Sequence, residues 1–229
     1  MTVTEHAPTD VAPPPPGRRG LTAVLVAVIA VGLVALGGGL AVALGIGRTE
    51  TPTLESVDAG FARDMSRHHL QAVEMANLAQ THSTDPDVQR LAFDISSTQT
   101  NQAGRMQGWL ALWGLPQSWG EPMDWMGDMA HMGDMHAAQE RGAAMPGMAT
   151  EAELAELRSL TGTPFDVRFL QLMIRHHQGG LGMAEYGAAH AQVPAVRNLA
   201  QSIAETQTAE VTTMEQMLRA KGGAPLPSD

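Results

Sequence analysis

Two stretches of this chain carry side chains able to hold a metal ion. They are FARDMSRHHLQAVEMA at 61–76 and FLQLMIRHHQGGLGMA at 169–184. Each places adjacent histidines, His68-His69 and His176-His177, between a methionine before (Met65, Met173) and one after (Met75, Met183). Imidazole nitrogen together with thioether sulfur selects soft or borderline ions, above all Cu(I), with Cu(II) accepting the histidines. Ag(I), equally soft, suits the same donors. Thioethers bind without losing a proton, so they keep their affinity at acidity that disables thiolates. The sequence has no cysteine, which rules out disulfides, thiolate sites and c-type haem attachment. Methionine also survives an oxidising exterior where free thiols pair.

A third stretch, 123–148, spaces Met123, Met126, Met129, Met132 and Met135 three residues apart, with His131 and His136 between them and Met145 and Met148 beyond. Three-residue steps wind around an α-helix instead of keeping to one side. The intervening Asp, Gly and Ala offer no aliphatic face. The spacing therefore predicts a flexible segment that wraps a soft ion. Core filling by methionine is the plainer alternative.

The elements that must position these groups follow from an internal repeat. A shift of 108 residues superposes Asp58 on Asp166, Phe61 on Phe169 and His68-His69 on His176-His177. The match continues through Pro86 and Pro194, Ile95 and Ile203, Gln99 and Gln207, to Leu110 and Leu218. Each unit reads as a helix, a proline-bearing turn and a second helix, which is an αα-hairpin. The first helix carries one stripe at 61, 65, 68, 72, 75 and 79, and the second at 88, 91, 95, 98, 102, 106 and 109. Four helices with one buried stripe each pack best as a four-helix bundle. Polar exceptions within the stripes are His68, Thr98 and Gln102, then His176, Thr206 and Glu210. An antiparallel hairpin sets them in one layer, with His68 level with about residue 99, Met65 near Gln102, His176 near Gln207 and Met173 near Glu210. Ala72 and Gly180 leave room beside the imidazoles. His69 and His177, about 100° around the helix from their neighbours, are expected to face solvent. A layer of histidines satisfied by Gln and Thr, holding nothing, is the competing reading.

Length and composition bound the rest. Residues 1–20 are proline-rich and polar, and 21–46 run without a charge, long enough to cross a bilayer. Arg18 and Arg19 before that segment put the N-terminus in the cytoplasm and the domain outside. A signal peptide cleaved near 41–43 is the alternative. A linker (47–56), the bundle (57–221) and a Gly/Pro-rich tail (222–229) follow. Within the bundle, repeats at 57–113 and 162–221 flank a Met-rich connection at 114–150. The net charge of −10, with Lys221 the one lysine, lacks the basic stripe that nucleic acid requires. No Glu has a His three residues later, so di-iron ferroxidase chemistry is not expected. A b-type haem held by His and Met stays open. No catalytic triad or phosphate loop is present, and no enzymatic activity is expected.

The pattern Phe-x3-Met-x2-His-His-x2-(Ala/Gly)-x2-Met-Ala, followed by a helix with Leu-Ala-x2-Ile, Gln, Met and Leu, resembles domain-of-unknown-function family 305 over about residues 54–221. The resemblance implies an exported, ferritin-like, all-α four-helix bundle. It also implies copper binding of the CopM-like, Met/His-rich kind, with silver as a second ion, for tolerance or delivery. By position it makes ligands of Met65, His68, His69, Met75, Met173, His176, His177 and Met183. The family often has an acid where this chain has Gln102 and Glu210, so the two halves differ there.

Overall fold

The computed structural model describes residues 18–45, 51–127 and 132–227, which form seven α-helices, one 3-10 turn and no strand. Helix α1 (Arg18–Ala43) is a unit of its own. Its Gly20–Ala43 stretch has the length and composition of a membrane span or a signal sequence, and none of it is buried.

The second unit, Thr51–Asp229, is built on two antiparallel hairpins: α2 (Val57–His82) with α3 (Pro86–Trp113), and α6 (Gly162–His190) with α7 (Pro194–Ala220). Helices α2 and α6 pack on each other and join the hairpins. Local chemistry sets the ends. Ser56 caps α2 by accepting from the Ala59 N–H. Asp85 accepts from the N–H groups of Asp87 and Val88 ahead of Pro86, a residue suited to a first helical position. Gly114, at φ 69°, ends α3 in the left-handed region. Helix α7 has no cap of its own. Asp58 of α2 supplies one across the bundle, accepting from Gln192 N (3.0 Å) and Val193 N (2.8 Å).

Between the hairpins lie the Asp124–Met126 3-10 turn, α4 (Met132–Arg141) and α5 (Glu151–Ser159). Helix α5 starts on a capping box, Thr150 with Glu153.

The buried apolar residues fall into two clusters. One holds Phe61, Met65, Met106, Leu110, Met183 and Ile203; the other holds Met75, Ile95, Phe165, Phe169, Met173 and Met214. The histidine pairs sit between them along both α2 and α6. The core is therefore two apolar halves with a polar layer in the middle.

Candidate metal centre

His68, His69, His176 and His177 all have zero exposure. For His69 and His177 this reverses the expectation of a solvent-facing position. Helices α2 and α6 are covered on more than one side, by their own hairpin partners and by the 143–149 loop, so a residue 100° off the stripe is still inside. The His68 and His176 rings lie 3.8 Å apart between centroids.

Three of the four rings are each oriented by one hydrogen bond. His68 donates from Nε2 to the Pro146 carbonyl (3.1 Å), His69 from Nε2 to Gln102 Oε1 (2.8 Å), and His176 from Nε2 to the His68 carbonyl (3.1 Å). Donation from Nε2 fixes the tautomer and leaves the Nδ1 lone pair bare. The Nδ1 atoms of all three are buried with no hydrogen-bond partner among the described residues. His177 differs. Its Nδ1 faces the Met173 carbonyl (3.0 Å) and its Nε2 the Glu210 carboxylate (2.8 Å), so neither nitrogen is spare.

Burial holds the three bare-nitrogen imidazoles neutral. Desolvation brings His68 down to about 4, aided by the nearby His177 charge and opposed by the Pro146 bond. It brings His69 to about 3 and His176 well below its ordinary 6.5, with neighbouring histidines adding to both shifts. A neutral imidazole is the form that ligates, and an N–H fixed on a carbonyl or carboxamide is what usually orients a ligating ring.

Two glutamines complete the layer. Gln99 and Gln207, 3% exposed each, have both side-chain polar atoms unpartnered. They replace Thr98 and Thr206 of the sequence reading, which lie outside the core. The buried face of α3 runs 88, 92, 95, 99, 102, 106, 110. That is the 3.6-residue period of a straight helix, whereas the stripe read from sequence followed 3.5 and drifted off it. The hairpin register is also displaced. Gln102 and Glu210 meet His69 and His177, not Met65 and Met173.

Glycines let the layer close. A Cβ on Gly180 would lie 2.9 Å from His68 Cε1 and 3.2 Å from Gln207 Oε1. Gly147, at φ 75°, packs its loop on Gly179, where a Cβ would come within 2.3 Å of the Gly147 nitrogen. This approach brings the Pro146 carbonyl to His68. Arg175, beside the second histidine pair, secures α5 by donating to Glu153 (2.6 Å). Burial alone would raise the Glu153 carboxyl, but bonds from Arg175 and the Thr150 N–H hold it low.

The methionines flank the layer. Met65 and Met183 are fully buried in one apolar cluster, Met75 and Met173 in the other. Much of the described middle segment is packed, where the spacing predicted a flexible stretch. Met123, Met126, Met145 and Met148 are buried in the core, and Met135 packs half-buried against it. Met123 and Met126 bracket the 3-10 turn, whose i and i+3 side chains eclipse, so three-residue spacing does keep one face there. Asp64, missed in the sequence, anchors the turn by accepting from Met123 N (2.8 Å) and Trp125 Nε1 (2.7 Å). His136 is exposed beside Glu140, far from the buried state of the layer. Met129 and His131 lie outside the described residues, as does the Met132 side chain. Among the described residues, no three His, Asp or Glu side chains form a ready ligand set.

Residues 58–218 match the model of a domain of unknown function, DUF305. The chain belongs to this family. A DUF305 protein of Streptomyces coelicolor, described as secreted, is 42% identical, with a TM-score of 0.68 over 76% of this chain and 99% of that one. A DUF305 fragment from Deinococcus radiodurans is 35% identical, with a TM-score of 0.57 over 72% and 96%. CopM in its Cu(II)-bound form is 24% identical, with a TM-score of 0.53 over 71% and 96%, a likeness of fold. No match is found among curated proteins.

Proposed function

We propose that this DUF305 domain binds and sequesters copper outside the cytoplasm, with silver as an equivalent ion, and catalyses no reaction. The observation that carries the reading is the set of three buried, neutral imidazoles with bare Nδ1 atoms. A buried polar atom left unpaired costs about 1–3 kcal/mol, so such a layer is expected to be filled. Water could fill it, but neutral nitrogen lone pairs beside thioethers match a soft cation better. CopM has been seen in Cu(II)-, Cu(I)- and Ag-bound forms, which supports the choice of ion here.

Charge narrows the choice further. The layer's one carboxylate, Glu210, is engaged by His177. The free donors are neutral, and the self-energy of an ion in a low-dielectric interior grows with the square of its charge. The interior therefore favours Cu(I) and Ag(I) over Cu(II). Two or three of the Nδ1 atoms would hold the ion, with Met65, Met173 and Met183 on either side of the layer as sulfur donors. Met123, Met126 and Met135, on the same apolar cluster as Met65, extend the soft lining.

The N-terminal helix anchors the domain to the membrane with its N-terminus in the cytoplasm; a secreted form after cleavage is the alternative. Titrating the 47–229 fragment with Cu(I) against a competing chelator tests the function. Affinity no tighter than millimolar would remove it. The rival reading, a bundle whose polar layer only fixes helix register, draws on the lack of a preassembled ligand set. Under it, Cu(I) and Ag(I) would leave the melting temperature unchanged, whereas a ligand of the folded state must raise it.

A further inference from the structure

One surface of the bundle has no part in the histidine layer. Residues 106–120 carry no charge in a chain of net −10, and they hold three of its four tryptophans. At the end of α3, Trp109 and Trp113 stack with centroids 6.4 Å apart, both half-buried. Leu112 between them is 82% exposed. The Arg105 guanidinium lies 5.5 Å from the Trp109 ring centroid. An exposed Leu between two half-buried Trp rings, with a cation at the edge, would be a poor surface to leave in water.

Its position says what covers it. Val57, the first residue of α2, packs on the same apolar cluster as Trp109, Trp113 and Leu115. The patch is therefore at the end where the chain enters the bundle. Only residues 44–56 separate that point from α1, a reach of at most about 45 Å when fully extended. Tryptophan rings concentrate where headgroups meet acyl chains, and arginine reaches back from there to the phosphates.

We propose that the face formed by Trp109, Leu112 and Trp113 rests on the headgroup–acyl boundary of a zwitterionic membrane. The proposal builds on α1 acting as an anchor.

The test uses the full chain in phosphatidylcholine vesicles, with and without lipid brominated midway along one acyl chain. All four tryptophans belong to the bundle, so quenching reports on it alone. Brominated lipid should remove about a third of the emission, since Trp109 and Trp113 reach the lipid from the patch while Trp125 is buried. Leu112→Glu, at the most exposed position, should restore most of it. Equal emission in both lipids from chain that stays with the vesicles through an alkaline wash overturns the proposal and spares the anchor. Quenching followed by release in the wash overturns the anchor and leaves the patch. A dimer in detergent that Leu112→Glu converts to monomer, without quenching in vesicles, assigns the face to a second copy and also overturns it.

Discussion

Acid should unfold the metal-free domain early, and its histidine layer sets the size of the effect. His68 and His69 fall from an ordinary 6.5 to about 4 and about 3 on folding. The unfolded chain therefore binds protons that the folded one refuses, and stability is lost as pH falls below 6.5 toward those lower values. At about pH 5, each of the two withholds about 2 kcal/mol, or about 4 together, a factor of about a thousand in the folding equilibrium. His176 is depressed by the same cause and adds to the loss. Asp85, held low first by its bond from Lys221, contributes only at lower pH. Domains of this size usually have about 5–15 kcal/mol in total. Urea unfolding of the 47–229 fragment, followed by far-ultraviolet ellipticity at about pH 7.5 and about pH 5, reads the change directly. Loss of under about 1 kcal/mol would refute the argument, because imidazoles that are neutral only by burial cannot escape this linkage. His69→Gln, which removes one titrating group, should flatten the slope below pH 6.5 by about one proton.

Other outcomes follow from single contacts. Gly180→Ala would press a methyl onto His68 and Gln207 and should destabilise by about 1–3 kcal/mol, measured in urea. Asp64→Ala strands the buried Trp125 N–H and Met123 N–H; an expected loss of about 1–3 kcal/mol should come with red-shifted tryptophan emission as the turn opens. Glu210→Ala leaves His177 Nε2 buried without its acceptor, with a cost of about 1–3 kcal/mol. It should weaken Cu(I) binding much less than His68→Leu, since His177 is not among the bare nitrogens; equal losses in the chelator competition would contradict that assignment.

The repeat made the two hairpins legible, because an unbroken 108-residue shift from Asp58 to Leu110 leaves little freedom in pairing helices. The histidine layer was legible as a location but not in its bonding. Its partners depend on a one-turn register and a period of 3.6, which a 3.5-residue stripe misplaces, hence Gln99 for Thr98. Pro146 could not be foreseen, since a backbone carbonyl has no sequence signature and its position depends on the Gly147–Gly179 approach. The Thr150–Glu153 capping pattern, which the reading of the sequence passed over, marks the start of α5. Met123 and Met126 looked unhelical because the turn that carries them is 3-10, not α. Asp64 passed unnoticed because an acid on a helix usually faces water, and only the folded 123–125 turn gives it donors.

The central claim is that the bare Nδ1 atoms of His68, His69 and His176 receive the ion. Long-range proton–nitrogen NMR of the histidine-labelled 47–229 fragment, before and after one equivalent of Ag(I), tests it most directly. The account predicts Nε2-protonated rings throughout, with the Nδ1 resonances of at least two of the three moving sharply on binding and their Nε2–H signals persisting. Unmoved Nδ1 resonances in the layer, with changes confined to exposed His136 or His190, would contradict it.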